Sequence, residues 1–211
     1  MPILDVDLLA FETGSRRRKD AVVDGVRRSL ATGFVYTSSD LSPQLLDRAY
    51  GLLERFFALE PAIKRQFVAE GSSGQTGYTG PLVETAAGHH LADWKEMLNW
   101  GDPPGFEHPL RRRFPHLYPE PLLPGAVLRE LPPLLLDFHR ALGDVQKRFL
   151  RVIACGLGVS ECFFDDVVNQ APTLSRAIHY PAMAKAPDGG HVWAAPHADI
   201  NLITAMPRAS R

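Results

Sequence analysis

Pro196-His197-Ala198-Asp199-Ile200-Asn201-Leu202-Ile203-Thr204 is the stretch whose reading decides the fold. Ile200, Leu202 and Ile203 supply strand-forming bulk directly after a His-x-Asp pair. In a strand, side chains at i and i+2 share one face. His197 and Asp199 can therefore offer an imidazole nitrogen and a carboxylate oxygen to one cation. With 8 His and 14 Asp in 211 residues, chance supplies about 0.5 such spacings. The pair alone is thus weak, and its context carries the weight. Some 20 residues upstream, Leu174 to Tyr180 reads as a second strand bearing Arg176, His179 and Tyr180. That separation suits two neighbouring strands joined by a loop.

Working outward, a stretch near Val192-Trp193 and the run from Ile200 to Ala205 also read as strands. The segment before them is mostly helical. Leu135, Phe138, Leu142, Val145, Phe149 and Val152 recur every three or four residues, which predicts a long buried helix from about Pro132 to Gly156. Ser160 is placed to cap a short helix through Phe163, Phe164 and Val167. Ser42 and Pro43 signal the start of another helix, whose broad apolar face runs from Leu45 to Phe57. Val22, Val23, Val26 and Leu30 predict a third, closed by Gly33. Pro2 to Val6 and Phe34 to Thr37 read as short strands. Residues 71–80 (GSSGQTGYTG) form a surface loop or a lid over a pocket. Residues 101–124 are proline-dense and irregular, with Arg111-Arg112-Arg113 as a solvated patch. Helices first and strands last indicate α+β. The expected division is 1–168, mostly helical, and 169–211, sheet.

The bulk properties narrow the function. Lys+Arg number 23 and Asp+Glu 24, for a formal charge of -1. This excludes a strongly basic nucleic-acid binder and a polybasic membrane binder. No apolar run approaches the roughly 20 residues that cross a bilayer. The amino-terminal dozen residues carry no secretory signal pattern. Two cysteines, Cys155 and Cys162, make no disulfide framework, so cytoplasmic residence is expected, with both thiols buried and inert.

Two His and one carboxylate on one face of an octahedral ion suit non-haem iron(II) and leave three positions open. The ordered series of pieces resembles the isopenicillin N synthase-like branch of the iron(II)/2-oxoglutarate-dependent dioxygenases. The pieces are the Pro2–Val6 strand, Gly33-Phe34-Val35-Tyr36, Phe56-Phe57-Ala58-Leu59 with Lys64, and Gly77-Tyr78. Asp93-Trp94-Lys95-Glu96, Gly156-Leu157-Gly158, Arg176-x-x-x-Tyr180-Pro181 and His197-x-Asp199 complete it. The resemblance implies a double-stranded β-helix, or jelly roll, flanked by helices and present here only in its N-terminal part. It implies Fe(II) and 2-oxoglutarate, with dioxygen and a small-molecule substrate whose C–H bond is hydroxylated, desaturated or cyclised. His197 and Asp199 match the first two metal ligands. Tyr180 matches a tyrosine that contacts cosubstrate or substrate, and Arg176 would place a charge nearby. Tyr78 and Trp94 are candidates for a substrate lid.

The family's second histidine and its Arg-x-Ser pair lie well beyond the His-x-Asp pair, and Arg211 is only twelve residues past Asp199. The expectation is a fragment. Rival readings are an oxidase of the isopenicillin N synthase kind that needs no 2-oxoglutarate, and a truncated non-catalytic paralogue. His191, His89 and His90 are the in-chain histidines that could replace the missing ligand. Ordinary loop or surface roles are the commoner outcome for all three. A zinc hydrolase using His191, His197 and Asp199 is disfavoured, because no general-base Glu has a suitable spacing.

Overall fold

Asp7 ends one element and starts the next. Strand β1 (Asp5–Asp7) runs into helix α1 (Leu8–Thr13), and the Asp7 carboxylate accepts the N–H groups of Leu9 and Ala10 that the helix start leaves unpaired. The computed structural model describes residues 3–86, 89–182, 192–197 and 199–208. They divide into two compact units, each discontinuous in sequence. Among the described residues, no helix is long and apolar enough to cross a membrane.

The first unit holds residues 1–43, 140–171 and 207–211. Helix α2 (Arg16–Ser29) follows α1, and β2 (Tyr36–Ser38) pairs parallel to β1. Of the apolar stripe read from the sequence, Val22 and Val26 face inward and pack with Val6, Leu8, Phe11 and, from the long helix, Val145, Phe149 and Val152, Val23 is partly buried beside them, and Leu30 is exposed. Arg148 ties these elements together. It grips both oxygens of Glu12 at 2.7 Å and reaches Asp40 at 2.8 Å and Asp144 at 3.2 Å. The helix expected to close at Gly33 ends at Ser29. Gly33 sits four residues later in a left-handed turn, which few other residues adopt cheaply.

The second unit holds residues 44–139 and 172–206. Helix α3 (Pro43–Phe57) is followed by the short α4 (Pro61–Lys64) and one 3-10 turn. Strands β3 (Gly77–Thr79), β4 (Glu96–Trp100) and β5 (Ser175–His179) form an antiparallel sheet with β4 at its centre. Short α5 (Pro109–Arg113) interrupts the proline-dense region. The 26-residue α6 (Leu131–Gly156) is the expected long helix; its residues up to 139 belong to this unit and those from 140 to the first unit, which also holds the single turn α7 (Asp165–Val168). Every residue of β4 is buried. Phe56 meets Phe57, Phe67 and Tyr78 edge-on, and Trp100 Nε1 donates to the Leu135 carbonyl at 3.0 Å.

Several expectations are corrected. Residues 77–79 of the presumed loop are a strand, and Tyr78 is buried in the sheet rather than placed on a lid. Arg111 is buried: it donates to the Pro104 carbonyl, pairs with Glu120 and stacks on Phe106. Ser160 caps no helix, because α7 begins only at Asp165 with Phe164 before it. Cys162 is exposed and Cys155 half-buried, so the pair is not the buried set expected.

The strands expected near Val192-Trp193 and over Ile200–Ala205 do not form among the described residues. The local hydrogen bonding explains the second. Asn201 Nδ2 donates to the Ile203 carbonyl and to Thr204 Oγ1, and Thr204 Oγ1 donates to Asp199. The Asn201 side chain here takes the Ile203 carbonyl, a group that a ladder would otherwise use. Ile200 is left fully exposed.

Gly77 and Gly51 are expected to respond oppositely to alanine. Gly77 has φ +79°, and a Cβ there would stand 2.5 Å from the Phe67 carbonyl oxygen. Gly77→Ala should cost about 1–3 kcal/mol. Gly51 lies within α3 with open space around it. Gly51→Ala should stabilise by about 0.5–1 kcal/mol. Urea unfolding of the two variants checks both signs.

Candidate functional site

His197 and Asp199 come together without a strand. His197 Nε2 stands 3.6 Å from Asp199 Oδ1, and both side chains are about half exposed. His197 Nδ1 donates to the Ala195 carbonyl at 2.9 Å, since a carbonyl can only accept. In the neutral ring this leaves the Nε2 lone pair facing the carboxylate, which is how a second contact commonly orients a ligating histidine. Asp199 Oδ2 accepts the Thr204 hydroxyl at 2.7 Å, so Oδ1 is the oxygen turned to His197. Neighbouring donors on an octahedral ion with bonds of about 2.1 Å stand about 3 Å apart. At 3.6 Å, His197 Nε2 and Asp199 Oδ1 stand somewhat wider apart than that spacing.

Among the described residues, no cluster of three His, Cys, Asp or Glu could hold a metal. His89 and His90 are exposed loop residues outside any such cluster. His191 lies outside the described residues.

The segment carrying His197 is held at three points. Trp94 N–H donates to the Val192 carbonyl at 2.8 Å. Trp193 Nε1 donates to the Pro181 carbonyl at 3.0 Å, next to Tyr180. Asp93 Oδ1 accepts the Ala195 N–H at 3.0 Å. Tyr180 lies just past β5 and is 47% exposed. Trp94, the other lid candidate, is half-buried, and its Nε1 is enclosed without a hydrogen-bond partner among the described residues.

The two faces of β4 carry different polar networks. On one, Asn99 sits opposite Arg176 and accepts from its Nε at 2.9 Å. Arg176 also donates to Glu84 at 3.1 Å, Glu84 meets Lys95 at 2.8 Å, and Lys95 meets Asp93 at 2.7 Å. Burial pushes the Asp93 and Glu84 carboxyls up, but Lys95 and their other partners outweigh it and hold both below the usual range. Burial likewise depresses the Lys95 ammonium, and Asp93 and Glu84 reverse that shift.

On the other face, buried Glu96 accepts from Lys64 Nζ at 2.7 Å, from Tyr78 and from His179 Nδ1 at 2.7 Å. Burial raises the Glu96 carboxyl, and these three donors overcome it, so its pKa is lowered. Tyr78 moves the other way: burial, and then the bond to Glu96, push its hydroxyl up. His179 stacks on Phe57 at 5.2 Å.

The sequence reading treats Asp93, Lys95, Glu96 and Lys64 only as pieces of a resemblance. The alternating charges of Asp93-Trp94-Lys95-Glu96 at the start of an apolar run are the available signal. Charges entering a buried strand must find partners.

The pattern of a family described as non-haem dioxygenase in morphine synthesis, N-terminal, matches residues 1–121. That match stops short of His197 and Asp199. A 2-oxoglutarate-Fe(II) type oxidoreductase of Aspergillus fumigatus is 26% identical over 97% of this chain and 61% of its own length. Another, from Emericella nidulans, is 27% identical over 97% of this chain and 60% of its own length. The chain thus spans about three-fifths of the curated relatives it matches. The crystal structure of a full-length Neurospora crassa protein in complex with alpha-KG aligns with TM-score 0.75 at 21% identity, covering 92% of this chain and 60% of that one. At that identity the likeness shows a shared fold.

Removing one partner of a buried ion pair strands the other. Lys64→Met should therefore cost about 3–5 kcal/mol in urea unfolding, and the double change Lys64→Met/Glu96→Gln should cost less than the single one. The lowered Glu96 pKa gives a signed pH dependence. Its stabilisation is complete above the ordinary carboxyl value of 4.5 and is lost as pH falls through the folded value. Glu96→Gln should flatten the fall in stability between about pH 5 and pH 3.

Proposed function

Because the chain belongs to the non-haem dioxygenase family whose N-terminal pattern covers residues 1–121, we propose that it is part of an iron(II)- and 2-oxoglutarate-dependent oxidoreductase. In this reading the mostly helical residues 1–168 are the support, and the jelly-roll part in 169–211 is represented among the described residues by β5, which pairs with β4. The substrate is a small molecule oxidised at a C–H bond with dioxygen.

The observation that carries this reading is the pairing of His197 Nε2 with Asp199 Oδ1 at 3.6 Å, with each group's other polar atom already engaged. These two atoms are the proposed iron donors. When bound, iron(II) with 2-oxoglutarate supplies the dioxygen-activating chemistry, which is the cofactors' own. The protein's task is to orient and bind. The Ala195 carbonyl keeps the proton on Nδ1, and the Thr204 hydroxyl holds the carboxylate oxygen that faces away from His197. Tyr180 offers a half-exposed hydroxyl to a cosubstrate oxygen. Arg176, steadied by Asn99 and Glu84, contributes positive charge for an anionic cosubstrate.

Manganese(II) serves as a paramagnetic probe of the donor pair. It should broaden the His197 ring resonances of the chain, with the effect lost in Asp199→Ala and retained in His89→Ala. Persistence of the broadening in Asp199→Ala overturns the ligand assignment. In a titration with 2-oxoglutarate and Mn(II), Tyr180→Phe should weaken cosubstrate binding by about tenfold, the loss of one hydrogen bond to a charged group.

A further inference from the structure

Asp93 is 1% exposed and divides its two oxygens between two tasks. Oδ2 accepts from Lys95 Nζ at 2.7 Å, which neutralises the buried charge. Oδ1 accepts the N–H of Ala195 at 3.0 Å, across 102 residues of sequence. Ala195 is itself buried, and its carbonyl receives the Nδ1–H of His197 at 2.9 Å. One residue is therefore gripped by its N–H while its C=O grips the imidazole. The Trp94 N–H to the Val192 carbonyl, at 2.8 Å, adds a second tie three residues earlier. A buried carboxylate is costly to keep, and apolar packing would serve stability as well. A carboxylate that accepts a backbone N–H is a stronger acceptor than any neutral group, so it suits a position that must not wander.

We infer that Asp93 is a positioning residue for the His197 imidazole: by holding Ala195 it determines which ring nitrogen faces Asp199. The inference rests on the assignment of His197 and Asp199 as metal donors. Lys95 is the counter-ion that keeps Asp93 charged, and Glu84 and Arg176 extend the same network to β5. Orienting contacts of this kind typically change metal affinity by about 10–100-fold when removed.

The test reads the full chain by nitrogen NMR, amide exchange and Mn(II) broadening together. In the unsubstituted chain the neutral His197 ring should carry its proton on Nδ1. In Asp93→Ala the tautomer ratio should move toward Nε2–H, and exchange at the Ala195 amide should rise at least about tenfold. The Mn(II) concentration that half-broadens the ring should rise by about 10–100-fold. Asp93→Asn keeps a weaker acceptor and loses the ion pair, so it should show a smaller change of the same sign. A folded Asp93→Ala with unchanged tautomer and unchanged Ala195 exchange overturns the inference. Should Asp93→Ala fail to fold, Asp93→Asn decides by the same readouts, and no change there overturns it. If Mn(II) never broadens His197 but the tautomer shifts in Asp93→Ala, the metal reading fails and the positioning role stands. If Mn(II) broadens His197 but the tautomer is indifferent to Asp93, the reverse holds.

Discussion

A carboxylate taken out of water must be given donors, and the second unit is organised around that demand. Glu96 opens β4 as a buried acid, and Lys64, Tyr78 and His179 converge on it from α4, β3 and β5. Desolvation alone raises the pKa of such a group and disfavours its charge. Three donors reverse that tendency, so the charge stays and each donor is fixed in turn. Because the three come from separate elements, the cluster also brings the helical end of the unit to the sheet. Phe56 packs on Tyr78 and Phe57 on His179, and this buried apolar surface beside the donors strengthens the polar contacts by excluding water.

The same rule operates on the opposite side of the strand with a different result. Asp93, Lys95, Glu84 and Arg176 form an ordered series of alternating charge, anchored at one end by Asn99 and at the other by the Ala195 amide. Here the network leaves the sheet and takes hold of an irregular segment. Residues 192–204 have no ladder among the described residues to define them, so side-chain contacts do that work. Trp94, Trp193 and Asp93 fasten the approach to His197, and Asn201 and Thr204 shape the turn after Asp199. His197 and Asp199, 3.6 Å apart, lie between these contacts.

This distinguishes two routes to the same juxtaposition. The sequence argument places His197 and Asp199 on one side by strand alternation. The structure places them together through a ring held by Ala195 and a carboxylate held by Thr204. The agreement on proximity and the disagreement on mechanism have one cause. Alternation is a property of a paired strand, whereas short polar side chains close to each other form local hydrogen bonds whatever the wider sheet does. The family relationship through residues 1–121 concerns the other part of the chain, which holds β4 and Asp93, the acid that accepts the Ala195 N–H.

Hydrophobic spacing made much of the fold legible from residue order alone. The helices from Pro43, from Arg16 and from Leu131 follow from apolar residues repeating every three or four positions, and β5 follows from its bulky run. The His-x-Asp pair stood out as metal chemistry because the residue types themselves limit what can bind a cation. Residue order did not reveal that Tyr78 and Arg111 are buried, or that Lys64 and Asp93 are paired with residues 32 and 102 positions away. A charged side chain reads the same whether it faces water or a buried partner. Only the folded chain, by removing water from one side of that choice, decides which charges become structure and which remain surface.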